Sequence, residues 1–296
     1  MNRFALGLPA LFAMLSCAAA PVSASPVLSS TPGTVALKAE ATAPVEAPAA
    51  RPPRRELVRR ILPHNVRLSI VEDGQTRRSA SGVVIGNEHT EQGLVSYVIT
   101  NAHAVEMEDL KSPRLVIIVD DRGDAREYAA QVVATGSVPD LDLALVKVPG
   151  LPLEPAQLAS DAELELGDDV VVAASPFGRP LSLSGGMVSQ VDWDKQSKQP
   201  RMVKTDAPIG YGASGGGIFS LESGKLLAIV EGYRTAKVGF AVAEQNFSFD
   251  VPMPGETFAA PGAKVRHFLQ QHGFTRLLAP PSPVPAAPPL PTTASR

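Results

Sequence analysis

Cysteine is nearly missing: Cys17 is the one thiol in 296 residues. Beyond it no disulfide and no cysteine-based metal or redox site can form. Aromatic residues make up 5% of the chain, so Val, Leu, Ile and Ala must fill the core, which favours strands over a helical bundle. No sign of charge dominates, with 27 basic against 30 acidic side chains, and a basic field for nucleic acid is therefore lacking. After Ala20 no apolar run is long enough to span a bilayer. Paired His/Cys spacing is lacking too: His267 and His272 fall on different helical faces, so neither zinc nor any cofactor is expected. What is plentiful is Gly (24) and Pro (28), the residues of turns and of irregular tails.

The amino terminus reads as a secretory leader. Asn2-Arg3 brings positive charge, Phe4 to Ala20 is largely apolar, and Val22-Ser23-Ala24 offers small residues for cleavage before Ser25. Residues 1–24 are thus expected to be removed and the product exported to the periplasm or secreted. Lipidation at Cys17, suggested by Met14-Leu15-Ser16-Cys17, is the second choice because Met14 replaces the usual aliphatic residue. Residues 25–55 carry Pro, Ala, Ser and Thr with almost no large apolar side chain, and so read as a disordered linker. Residues 277–296, rich in Pro from Pro280 onward, read as an extended tail. The cluster Arg51, Arg54, Arg55, Arg59 and Arg60 is a solvated entry to the folded part.

Between these ends, short β-branched runs recur with turn signals between them. They cover Val66 to Val71, Gly82 to Ile85, Val95 to Thr100, Leu115 to Val119, Tyr128 to Ala134 and Leu143 to Val148. A second series covers Val170 to Ala174, Gly186 to Val191, Met202 to Thr205, Gly217 to Leu221, Leu226 to Val230 and Phe247 to Val251. The spacing predicts an all-β domain over residues 56–276 made of two tandem units, about 60–150 and 156–258, joined near Pro149 to Pro155. The one good helical pattern, about 262–272, carries Val265, Phe268 and Leu269 on one face and Gly273 as a stop.

The segment Gly210-Tyr211-Gly212-Ala213-Ser214-Gly215-Gly216-Gly217 surrounds one serine with glycines. Such a backbone can turn amides inward while leaving Oγ exposed, which suits acyl transfer. A serine needs a base and an orienting carboxylate. His103 follows the apolar run ending at Thr100, at a strand end, and Asp142 opens the strand Leu143 to Val148, where it would be partly shielded from water. The order His, Asp, Ser is one of three known for such triads.

With these residues the chain resembles the trypsin-like serine proteases of the Deg/HtrA type. The resemblance runs through Ser81-Gly82-Val83-Val84-Ile85, Thr100-Asn101-Ala102-His103-Ala104-Val105, Asp142-Leu143-Ala144-Leu145 and Leu166-Gly167-Asp168. It continues through Ser175-Pro176-Phe177-Gly178, Ser184-Gly185-Gly186-Met187-Val188-Ser189, Thr205-Asp206-Ala207 and Gly212-Ala213-Ser214-Gly215-Gly216. It implies two six-stranded antiparallel β-barrels with the triad between them. His103 would be the base, Asp142 its partner and Ser214 the nucleophile, with the amides of Gly212, Ala213 and Ser214 as oxyanion hole. The substrate pocket would be walled by Pro208, Ile209 and Gly210 and by Val230, Glu231, Gly232 and Tyr233, with Phe249 nearby. No carboxylate at Pro208 would attract Lys or Arg, so small or medium apolar side chains suit it; Glu231 is either a complication or a surface residue without a role. Two departures concern the loop, Ala213 for the family's Asn and Tyr211 for its Pro. The short helix and tail leave no room for the family's PDZ domain. The stretch from Ser25 to Arg60 lacks the aromatic residues its trimers use, so the oligomeric state stays open.

Two other patterns compete. Gly210 to Gly215 also fits a dinucleotide fingerprint, but the helix it requires would contain Gly216 and Gly217, and its strand Lys204, Asp206 and Pro208. Ser184-Gly185-Gly186 lacks the glycine two residues before the serine and reads as a structural turn. The expected function is an exported serine endopeptidase acting on unfolded or misfolded envelope proteins. The alternative is a catalytically silent trypsin-like module that binds polypeptides or acts as a scaffold.

Overall fold

The structure is a computed structural model. It describes residues 52–121, 123–242 and 245–278. The leader, Cys17, the linker up to residue 51 and the tail from residue 279 lie outside the described residues. The first element is a helix, α1 (Arg54–Ile61), followed by β1 (Asn65–Glu72), β2 (Gln75–Thr90), β3 (Gly93–Thr100), β4 (Arg114–Asp121), β5 (Asp124–Ala129), β6 (Gln131–Thr135) and β7 (Ala144–Pro149). The second half holds β8 (Asp169–Ala174), β9 (Ser182–Trp193), β10 (Pro200–Thr205), β11 (Gly217–Ser220), β12 (Leu226–Val242), β13 (Gln245–Pro261) and α2 (Gly262–Gln271).

The domain is mostly β, in two antiparallel sheets. The second half is a closed barrel of order β10-β13-β12-β11-β8-β9. The first is not the six-stranded barrel expected from the resemblance: it is a seven-stranded sheet of order β5-β4-β1-β2-β3-β7-β6. The run Tyr128 to Ala134 is interrupted at Ala130, whose N–H donates to Leu115 O at 3.1 Å. Below that point the chain pairs with β4 and above it with β7. One expected strand thus becomes both edges of the sheet, β5 and β6, with only Ala130 between them in the chain.

Period-two alternation explains why the central strands read as unbroken apolar runs. Val66, Leu68, Ile70, Val84, Val98 and Val146 face the interior of the first sheet. Their neighbours Val83, Ile85, Ile99 and Leu145 face the other way, into a core shared with Val171, Phe219, Ile229, Val265 and Phe268 of the second half. A third core, with Val172, Val203, Ile218 and Val230, fills the barrel.

Two local expectations change, and a third, the strand after Gly215, holds. Helix α1 begins inside the segment read as linker; its only buried residues are Leu57 and Ile61, one turn pair too short to show as a period. Ser184-Gly185-Gly186 lies within strand β9 rather than in a turn. The residues after Gly215 enter strand β11, not the helix that a dinucleotide fingerprint needs.

Helix α2 closes the shared core with Phe268, which is fully buried. Phe268→Ala is expected to lower the unfolding free energy by about 3–5 kcal/mol in urea titration. Phe247→Ala, at an exposed site, is expected to change it by roughly 0.5 kcal/mol or less.

Candidate active site

Strand β3 ends at Thr100, and the chain turns at once into a 3-10 turn, His103–Val105. Asp142 stands just ahead of β7, which pairs with β3 through Thr100↔Ala144. Register alone therefore brings the two residues together. His103 Nδ1 lies 2.5 Å from Asp142 Oδ2, and the His103 backbone N–H donates to Asp142 Oδ1 at 3.0 Å. Asn101 Nδ2 donates to the Asp142 carbonyl at 2.8 Å and fixes the backbone beneath. With Nδ1–H committed to the carboxylate, Nε2 is left as the basic nitrogen.

Electrostatics follow from these contacts. Hydrogen bonding to Asp142 holds the His103 pKa above its ordinary value of 6.5, against burial, which pulls it down. Burial alone would raise the Asp142 pKa, but the bonds from the His103 ring and backbone outweigh it, and the carboxyl stays below its ordinary value. The pair is thus a carboxylate holding a strengthened base.

Ser214 sits in the loop before β11. Gly212 and Gly215 have φ of 84° and 83°, conformations that favour glycine. A Cβ on Gly215 would also lie 2.1 Å from Ser81 O and 2.3 Å from Thr100 Oγ1. The Ala213 N–H donates to Gly210 O at 3.0 Å, so Ala213 does not offer the oxyanion donor expected of it. Among the described residues the Gly212 and Ser214 amides have no protein acceptor, which leaves two N–H groups beside the hydroxyl. Ser214 Oγ itself donates to Glu231 O at 3.4 Å and makes no hydrogen bond to His103.

A residue given no role in the sequence, Ser81 of β2, joins the two halves of this site. Its N–H donates to Ser214 O and its Oγ to Gly212 O, each at 2.8 Å. The same Oγ accepts the Ser175 N–H at 2.8 Å, and Ser81 O accepts Thr100 Oγ1 at 2.8 Å. Ser81-Gly82 was legible as a motif, but a serine in a strand carries no sign of what its hydroxyl will reach 131 residues later.

The residues expected to wall a substrate pocket are partly united. Gly215 N–H donates to Val230 O and Val230 N–H to Gly216 O, at 2.9 and 2.8 Å, which seats β12 against the serine loop. Tyr211 and Tyr233 meet edge to face at 6.5 Å, and Gly210 lies under the Phe177 ring. Pro208 is exposed and Ile209 half-buried, and Gly232 lies beside Phe258. Glu231 is not a surface glutamate: its side chain is 11% exposed, with Lys264 Nζ of α2 at 3.6 Å, and burial raises its pKa. Phe249 is not beside these residues in the ladder but pairs with Val238 farther along β12.

Comparison with known proteins bears on this arrangement. Residues 80–229 match the trypsin-like peptidase domain family. A probable periplasmic serine endoprotease DegP-like of Ectopseudomonas mendocina (strain ymp) is 30% identical over 200 residues, 67% of this chain and 38% of that protein. A protein of the same description from Marinomonas sp. (strain MWYL1) is 30% identical over 182 residues, 61% of this chain and 34% of that protein. The magnetosome formation protease MamE of Paramagnetospirillum magneticum is 29% identical over 171 residues, 55% and 22% of the two chains. The chain thus spans roughly a third of the length of the curated relatives it matches. The fold is similar to that of the serine endoprotease from Yersinia pestis, with a TM-score of 0.54 at 21% identity over 78% of this chain and 68% of that one. It is also similar to Deg5, with a TM-score of 0.51 at 22% identity over 72% and 91%.

Ser81→Ala removes the hydroxyl that holds Gly212 and Ser175. The rate at which a fluorophosphonate phosphonylates Ser214 is expected to fall by about tenfold, the scale of one buried hydrogen bond, with no comparable loss of secondary structure by circular dichroism.

Proposed function

This chain belongs to the trypsin-like peptidase family, and from that premise we propose that it is an exported serine endopeptidase using His103, Asp142 and Ser214. The observation that carries the reading is the Asp142–His103 dyad, just past a strand whose Thr100 is tied through Ser81 to the Ser214 loop and its two uncommitted amides. Catalysis requires Ser214 Oγ to leave Glu231 O and hydrogen-bond to His103 Nε2. His103 Nε2 then takes the hydroxyl proton as Oγ attacks the scissile carbonyl carbon. The resulting oxyanion is held by the Gly212 and Ser214 amides, where loss of one donor typically costs about 2.7–4 kcal/mol. His103 passes the proton to the leaving amine, and water hydrolyses the acyl-enzyme by the reverse sequence.

Polypeptides are the substrates in this reading, and unfolded or misfolded proteins of the cell envelope are the proposed natural ones, supported by relatives described as periplasmic and by the leader-like amino terminus. Among the described residues no helix is long and apolar enough to cross a membrane. Pro208, Ile209 and Gly210 and Val230 to Tyr233 are the proposed pocket walls. The Glu231 carboxylate, turned to Lys264, offers no free charge to Lys or Arg, which supports a preference for small or medium apolar side chains.

One observation favours the silent-module reading, the bond from Ser214 to Glu231 rather than to His103. Resting structures often tighten such contacts only with substrate bound. The deciding experiment is fluorophosphonate labelling of the purified protein, with and without an unfolded protein present. Labelling is expected and should disappear in Ser214→Ala and His103→Ala; folded wild-type protein that never labels would establish the silent module instead.

The pH dependence has a definite sign. Only neutral His103 can accept the proton, and its pKa is raised, so the labelling rate should climb with pH to a midpoint above 6.5. Asp142→Asn removes the anionic partner and is expected to move that midpoint to lower pH while slowing labelling by about 10⁴-fold.

A further inference from the structure

Strands β12 and β13 outrun the barrel they belong to. β10 pairs with β13 only over Thr257 to Ala259, and β11 pairs with β12 only as far as Ile229. Beyond a bulge at Arg234, the two strands continue alone as a ribbon from Thr235↔Pro252 to Val242↔Gln245. Directly paired residues share a face, and the pairs Val238↔Phe249 and Phe240↔Phe247 alternate with Lys237↔Asp250 and Gly239↔Ser248. One face is therefore apolar and the other polar. Phe240 stacks on Phe247 at 5.6 Å and meets Phe249 edge-on at 6.1 Å, yet all three and Val238 remain 42–52% exposed. A two-stranded ribbon alone is marginal in water, and a contiguous aromatic face on it marks a contact surface.

The occupant follows from continuity with the cleft. The strand that carries this face is the one whose Glu231 carbonyl receives the Ser214 hydroxyl. From Glu231 onward the edge of β12 away from β13 has no strand partner among the described residues, so its N–H and C=O groups are available to an added chain. A strand laid there would place every second side chain beside Val238 and Phe240. We infer that the apolar face of the β12–β13 ribbon docks an extended, hydrophobic segment of a polypeptide whose remaining length lies in the Ser214 cleft. The inference rests on reading that cleft as a polypeptide site. It adds a second recognition surface, one that favours unfolded chains because only they are both extended and apolar.

The test is binding of fluorescein-labelled, reduced and carboxymethylated α-lactalbumin by anisotropy, in a Ser214→Ala background so that turnover plays no part. Phe240→Ser with Phe247→Ser is expected to weaken binding about tenfold or more, as lost apolar burial of this size implies. Phe240→Leu with Phe247→Leu, which keeps the face apolar, should restore it, and Lys237→Ser with Asp250→Ser on the other face should leave it intact. Unchanged binding in the serine pair, or equal loss in the polar-face pair, overturns the inference. So does a serine pair that alters only the sedimentation coefficient, which assigns the face to a second copy, or only flotation with phosphatidylglycerol vesicles, which assigns it to lipid. If the binding pattern holds while wild-type protein never labels with fluorophosphonate, the docking surface stands and the hydrolytic reading fails.

Discussion

The site depends on one close approach, that of Ser81 in the first sheet to the serine loop of the second half. Its backbone N–H reaches Ser214 O, its hydroxyl reaches Gly212 O, and its carbonyl takes the Thr100 hydroxyl that lies three residues before His103. His103 and Ser214 come from different halves of the chain, so their separation is set by whatever bolts those halves together. The apolar core shared by both halves brings them into contact, but apolar packing is not directional. Hydrogen bonds at Ser81 supply the direction. Gly215 is the steric counterpart: any side chain there would meet Ser81 O and push the loop away.

Glu231 gives the site a second carboxyl, in addition to that of Asp142. Its neighbour Lys264 is 3.6 Å away, beyond hydrogen-bond length, and Glu231 Oε1 has no hydrogen-bond partner. A buried carboxyl with an incomplete partner resists ionisation, and here burial raises its pKa while Asp142 adds repulsion. Helix α2 therefore does more than close the shared core. Through Lys264 it sets the field around the strand that carries the acceptor of the Ser214 hydroxyl.

Much of the fold was legible in particular residues. The runs Val95 to Thr100 and Leu143 to Val148 announced buried strands because apolar residues fall on both faces, and the glycines around Ser214 announced a backbone closed to other residues. The count of strands in the first sheet was not legible. Whether the run Tyr128 to Ala134 pairs on one side or splits between two depends on the distant strands β4 and β7, and nothing in Ala130 itself records that choice. Helix α1 was missed because two buried side chains, Leu57 and Ile61, are too few to make a period, and its stability comes from what they pack against. The ribbon was half legible: Phe247 to Val251 read as a strand, but the exposure of its aromatic face follows only from where the barrel stops.

The sequence by itself determined which residues have the right chemistry and local conformation: a histidine at a strand end, an aspartate at a strand mouth, and a serine between glycines. Those are properties of short segments, dictated by alternation, by backbone sterics and by the pKa values of the side chains. Only the tertiary structure decided that Ser81 would hold the loop, that Ala213 would spend its amide on Gly210, that Glu231 would be buried against Lys264, and that Phe240 and Phe247 would face solvent. Each of these is a contact or exposure fixed by how remote strands meet, and directional bonds over a few ångströms leave no trace in the order of residues that form them.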